Sequence, residues 1–254
     1  MTNPAPVLIE ERHGDTLLLT MNRPERHNAL NRALREAISD ALIRAETTGV
    51  KVIVLTGAGA KAFCAGADML EASGVDSPAE AERPPGSVAA SGSAQIASTP
   101  LPVIAAINGY CYGGGARLAI ACDIRLASTN ATFRIPGAEY GLVVAAATLP
   151  RLVGASKAKE WIFTARPFDA AEALEHGLVS SLYEPDALLP AALEMAATIA
   201  GHSTDAVREA KRVIDAATLS EEATLMEDDA NRRLRGSPDQ AQRFRDATKR
   251  VTGR

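Results

Sequence analysis

The chain has 254 residues and a net charge of −4, and 46% of it is apolar but only 4% aromatic. Its core must therefore be mostly Ala, Val, Ile and Leu, which bury little area per residue and favour association between subunits. The mild acidity and absence of a basic stripe argue against a nucleic-acid partner, and no apolar run is long enough to span a membrane. The opening "MTNPAPVLIEERHGD" lacks a charged and an apolar targeting region, so a cytoplasmic protein is expected. Cys64, Cys111 and Cys122 have no metal-ligand spacing and are expected to be free thiols in a reducing compartment.

In chain order, residues 7–11 and 16–21 read as strands around a His13-Gly14-Asp15 turn. A polar connector follows. Leu30, Leu34, Ile38 and Leu42 then recur at spacing four from Asn31 onward, the mark of a helix. Residues 51–56 ("KVIVLT") and 102–108 ("PVIAAIN") are continuous apolar runs ending at glycine, as expected for strands buried on both faces. Residues 123–127 and 131–135 read as two more strands. The alternation predicts an α/β core with parallel strands. Residues 74–98, rich in Ala, Ser, Pro and Glu, read as a loop with a weak helix. Helices are expected over 155–165, 170–176, 188–200, 205–217 and 221–234, forming a helical tail. No internal repeat stands out.

Several kinds of chemistry lack their residues. Gly57-Ala58-Gly59-Ala60-Lys61-Ala62 fits a dinucleotide fingerprint after a strand, but "FCAGAD" follows where a helix should open. His13, His27, His176 and His202 are scattered, so no metal site is expected. There is no G-x-S-x-G elbow for a nucleophilic serine. Two glycine-containing turns remain: Lys61–Met69 after one buried strand and Asn108–Ala119 after the next. Each reads as strand, small-residue turn, helix. Small residues let backbone approach a ligand, and a helix N-terminus offers free N–H groups. Two such turns side by side can supply two convergent donors.

These stretches carry a family resemblance. "MNRPERHNAL", "VIVLTGAGAKAFCAGADM", "PVIAAINGYCYGGGARLAIACDIRLAS", "FRIPGAEYGL" and "LPRLVGASKAKEWIFTARPFDAAEALEHGLV" together resemble the crotonase, or enoyl-CoA hydratase/isomerase, superfamily. The resemblance implies a spiral of repeated ββα units over residues 1–182 and a helical trimerisation region over 183–254. It implies a homotrimer or dimer of trimers and a coenzyme A thioester as substrate, with no separate cofactor. The shared chemistry is enolate stabilisation in an oxyanion hole. Carried over residue by residue, the two N–H donors map to Ala65 and Gly114. The coenzyme A portion maps near Ala29, Ala67, Asp68 and Met69, with Lys61 and Arg23 as phosphate contacts.

The sequence departs from the family at two positions. Hydratases place one glutamate two residues after the glycine triplet and another directly after the proline of the phenylalanine motif; here those positions are Arg117 and Gly137. Arginine stays protonated and cannot act as a base, and the usual pairing of acid and base is not available. Glu139 is the nearest acid/base candidate; it either shifts toward the substrate α-carbon or faces solvent. Cys111 and Tyr112 either line the pocket or pack. Arg117 either points outward, pairs with an acid such as Asp123, or binds a carboxylate or carbonyl on the acyl group. Three readings follow: a divergent hydratase/isomerase-like enzyme, including a hydrolase or C–C lyase acting on a carboxylated or ring-derived acyl-CoA; a non-catalytic acyl-CoA binder; and a structural subunit supporting an active paralogue.

Overall fold

The computed structural model describes residues 5–72 and 92–253. The larger of two sheets has strand order β1-β2-β3-β5-β7-β10. Its strands are β1 (Leu8–His13), β2 (Thr16–Met21), β3 (Val52–Gly57), β5 (Val103–Ile107), β7 (Ile124–Ser128) and β10 (Ser181–Tyr183). The β1–β2 hairpin is antiparallel, and every later pairing in this sheet is parallel. The smaller sheet runs β4 (Ala62–Cys64), β6 (Tyr110–Tyr112), β8 (Thr132–Arg134) and β9 (Phe168–Asp169).

The chain alternates between the two sheets. β3 crosses to β4 and then to α2 (Met69–Ala72). β5 crosses to β6 and then to α4 (Gly114–Ala121), and β7 crosses to β8 and then to a 3₁₀ turn at Ala138–Tyr140. This is the expected spiral of ββα units. The repeat escaped the sequence because the second strand of each unit has only three residues. The Gly57–Ala62 segment leads into β4 and not into a helix, so its likeness to a dinucleotide fingerprint has no structural counterpart.

β3 and β5 are buried along their whole length, because both faces of the larger sheet are covered. On one side lie α1 (Arg32–Ala45), α3 (Gly92–Ser98) and α4, with Leu34, Ile38 and Leu42 in the core. α1 opens where the sequence indicated: the Asn31 side chain accepts Leu34 N–H at 3.0 Å. On the other side α7 (Pro185–Ala200) packs Leu188, Ala192, Ala196 and Ala200 against Leu18, Val52, Val54 and Ile104. The few aromatics are concentrated: Trp161 of α5 (Pro150–Thr164) stacks on Phe168 at 3.7 Å between ring centroids. Gly154, at φ +77°, interrupts α5, so its long regular stretch starts at Ala155 as expected.

The tail is helical: α6 (Ala170–Glu175), α7, α8 (Thr204–Thr218), α9 (Glu221–Leu234) and α10 (Pro238–Thr252). α10 was not anticipated. Of the expected loop over 74–98, residues 74–91 lie outside the described residues, and the remainder is α3. No helix among the described residues is long and apolar enough to cross a membrane.

Candidate active site

The site is built where β4 and β6 deliver their following turns side by side. Asn28 is fully buried in a left-handed conformation (φ +55°). Its side-chain amide donates to Ala62 O at 2.8 Å and Ala58 O at 3.0 Å, and its Oδ1 accepts Arg23 N–H at 2.9 Å. Asn108 donates to Gly57 O and Gly59 O, both at 2.7 Å. These two asparagines fix the β3–β4 turn, and sequence reasoning missed both. "HNAL" and "INGY" carry no signal for this role beyond asparagine's general place in turns.

The turn after β4 pairs with residue 30. Leu30 N–H donates to Gly66 O at 2.7 Å, and Asp68 N–H donates to Leu30 O at 3.1 Å. In this parallel bridge residue 30 makes both bonds, so the opposing Ala67 turns its own N–H away from the pairing. Ala67 N–H has no acceptor among the described residues, and Ala67 is exposed. Ala65 differs: its N–H donates to His27 O at 3.0 Å. That bond corrects the assignment of Ala65 as a free donor, since a committed N–H cannot also be offered to a ligand.

Gly114 opens α4, where helix geometry leaves the first amides without intrahelical acceptors. Its N–H has none among the described residues either. The two turns meet closely. A Cβ on Gly114 would lie 3.5 Å from Ala67 N, and one on Gly66 would lie 3.4 Å from Gly114 N and 3.0 Å from Tyr112 O. Gly66 also sits at φ +106°. Small residues here bring two unclaimed amides close together, Ala67 exposed and Gly114 half-buried. Two such donors can stabilise negative charge developing on one oxygen.

The other expected residues divide. Asp68 forms an ion pair with Arg23 at 2.8 Å, and Arg23 also donates to Ala29 O. Arg23 is thus committed to shaping the turn, which corrects its reading as a phosphate contact. Lys61 is exposed, and Ala29 and Met69 are half-buried beside the turn. Glu139 is ion-paired with Arg134 and with Arg250 of α10. Both of its carboxylate oxygens are thus engaged by arginine side chains. Arg117 does not pair with Asp123, which instead binds Lys211 at 2.9 Å and accepts Val103 N–H at 2.7 Å. Arg117 is partly exposed, and its guanidinium comes within 4.0 Å of Glu227 and makes no hydrogen bond among the described residues. Gly137 is buried, and a Cβ there would meet Val144 Cγ2 at 2.8 Å and Leu142 O at 2.9 Å. Cys111 is a packing residue at the core, and Tyr112 bonds Thr132 at 2.9 Å. Burial pushes the Cys64 and Cys122 thiols up to about 12 and raises Cys111 as well, so none is a ready nucleophile.

The enoyl-CoA hydratase/isomerase family model matches residues 11–250, and the chain belongs to this family. It is 37% identical over 212 residues to a short-chain-enoyl-CoA hydratase of Clostridium acetobutylicum, covering 82% of this chain and 80% of that protein. It is 36% identical over 211 residues to a 2,3-dehydroadipyl-CoA hydratase of Escherichia coli, covering 82% and 81%. The crystal structure of an enoyl-CoA hydratase/isomerase from Pseudoalteromonas atlantica superposes with a TM-score of 0.84 at 28% identity, covering 96% of this chain and 97% of that one.

Proposed function

We propose that the protein is an acyl-CoA enzyme that holds the thioester carbonyl between the amides of Ala67 and Gly114 and stabilises an enolate there, without a glutamate pair at positions 117 and 137. The observation that carries this is the juxtaposition of those two N–H groups, each without an acceptor among the described residues. Family membership supports the thioester. The absence of the pair is supported by residue type and by space. Position 117 holds an arginine, a cationic hydrogen-bond donor and not a carboxylate. Gly137 has no side chain, and Val144 and the Leu142 carbonyl fill the place of one. The coenzyme A portion is assigned to the neighbourhood of Ala29, Ala67 and Met69, with Asp68 shaping the turn and Lys61 available to a phosphate.

A second reading concerns the acyl group. The partly exposed Arg117, whose guanidinium has no hydrogen bond among the described residues, suits a carboxylate or carbonyl on the acyl chain. The dehydroadipyl thioester in the name of the E. coli relative is of that kind. Hydrolase or C–C lyase chemistry on such a thioester fits a site that lacks two opposed carboxylates. Subunit association is supported by the exposed apolar residues Val213, Ile214, Leu225 and Met226 on α8 and α9, and a homotrimer or dimer of trimers is the expected assembly.

The test is incubation with neutral and carboxylated acyl-CoAs in heavy water, read by mass spectrometry. Deuterium at the α-carbon is the expected result. Tight binding with neither exchange nor product would overturn the enolate reading in favour of a non-catalytic binder. Arg117→Ala should weaken binding of the carboxylated thioester by about tenfold or more, as expected for a lost charge-assisted bond, and spare the neutral one of equal length. Equal effects on both would remove the second reading.

A further inference from the structure

A carboxylate reaches this site from far along the chain. α9 carries Glu227, whose side chain is only 6% exposed. Its Oε1 accepts Ala145 N–H at 3.1 Å, and its Oε2 accepts Ala147 N–H at 2.8 Å. One helical turn further on, Asn231 donates to Val143 O at 2.8 Å and accepts Val143 N–H at 2.9 Å. At spacing four the two side chains share one face of the helix, and together they grip residues 143–147. The gripped segment is under strain: Ala145 is buried and left-handed, at φ +58°. An alanine keeps that conformation only where its surroundings enforce it.

The gripped segment belongs to a ring of contacts that begins and ends at α4. Gly113, at the helix start, abuts Pro136: a Cβ on Gly113 would lie 3.8 Å from Pro136 Cγ. Val144 closes over the adjacent Gly137. Glu227 holds the amides that flank Val144 and Ala146, and its Oε1 lies 4.0 Å from Arg117 Nη2, back on α4. No other acidic group among the described residues forms an ion pair with Arg117.

We propose that Glu227 is a positioning residue of the active site. It locks residues 143–147 against Pro136 and Gly137 and orients the Arg117 guanidinium, fixing the wall beside the Gly114 amide. It does not act on the substrate itself, because it is buried and both its oxygens are occupied. The tail thereby controls the geometry of a site otherwise built by the spiral. The catalytic arm of this proposal rests on the enolate reading above; the structural arm does not.

The test uses Glu227→Gln, which keeps the shape but places an NH₂ group against a backbone N–H, and Asn231→Asp, which keeps the acceptor but loses the donor. Two readouts are taken on the folded proteins well below their unfolding temperatures. The first is amide hydrogen exchange over residues 142–149. Protection there should fall about tenfold or more in Glu227→Gln, less in Asn231→Asp, and remain native in β3 and β5. The second is α-proton exchange on a bound acyl-CoA. The saturating rate should fall by about 10- to 100-fold with KM changed less than about twofold, as expected when reacting groups are misplaced by ~1 Å. Native protection over 142–149 in folded Glu227→Gln overturns the proposal. So does a native saturating rate with only stability lowered, since that is the signature of a merely structural contact. If the unaltered protein exchanges no α-proton, the enolate reading fails, and the protection of residues 142–149 still decides whether Glu227 locks them.

Discussion

Replacing Gly66 by alanine strikes the contact that brings the two amides together. The new methyl would sit 3.0 Å from Tyr112 O and 3.4 Å from Gly114 N, and the residue would have to hold φ +106°. The carbonyl belongs to β6 and cannot swing aside as a side chain tip would. The left-handed backbone costs about 1–2 kcal/mol, and the forced shift of a packed neighbour about 1–3 kcal/mol more. At roughly 2–4 °C per kcal/mol for a chain of this size, the midpoint of thermal unfolding should fall by about 4–20 °C. The functional loss should exceed that of a destabilised but intact site, because separating Ala67 from Gly114 removes one donor, worth ~10²–10³ in rate. Gly236→Ala is the control. It carries the same kind of backbone strain, at φ +78°, but its added methyl meets nothing within 4 Å. It should lose stability and keep α-proton exchange. Both variants are assayed by calorimetry and by deuterium incorporation below the lower unfolding midpoint. A Gly66→Ala protein that exchanges at the native rate would refute the role given to this contact.

The unaltered protein should hydrate crotonyl-CoA at least about 100-fold more slowly than a hydratase bearing both glutamates, since general acid–base groups contribute ~10²–10⁴ in rate; turnover at ordinary hydratase rates, followed by loss of the enoyl absorbance, would show that another acid and base serve the reaction. Asn28→Ala strands the carbonyls of Ala58 and Ala62 and should cost about 2–4 kcal/mol in denaturant unfolding, with weaker acyl-CoA binding from the loosened turn; an unfolding midpoint close to native would mean that water replaces the amide. Hydrogen bonds from Arg166, and then from Trp161, hold Glu172 down at about 2, below the usual carboxylate range, so it binds a proton less readily folded than unfolded. Its stabilisation is fully present above about pH 4.5 and is lost as the pH falls toward 2, and Glu172→Gln should flatten this acid limb of the stability profile; an unchanged limb would mean that other carboxylates set it.

What the sequence made legible was local. β2 and α9 fall within the expected limits because each carries its own periodic pattern and, for α9, a Ser220 cap on Ala223 N–H. The short strands β4, β6, β9 and β10 hold only two or three residues each, too few for alternation to register. α10 hid because its sequence is largely charged and polar, although Ser237 followed by Pro238 is a readable start. The glycine triplet pointed to Gly114, whose N–H a helix N-terminus leaves without an intrahelical acceptor. Choosing between Ala65 and Ala67 needed the pairing partner. Leu30 decides which amide is turned outward, and its register is not written in "FCAGAD". Glu227 and Asn231 form no motif at all, and their role exists only once α9 lies against residues 143–147.

The central claim is that the amides of Ala67 and Gly114 receive the thioester oxygen. It is tested most directly by amide chemical shifts of the isotopically labelled protein, titrated with a non-hydrolysable acyl-CoA analogue that keeps the carbonyl. Both the Ala67 and Gly114 resonances should move downfield together and saturate together, while Ala65, already bonded to His27, stays in place. Movement of Ala65 with Ala67 unchanged, or binding that shifts neither Ala67 nor Gly114, would contradict the account.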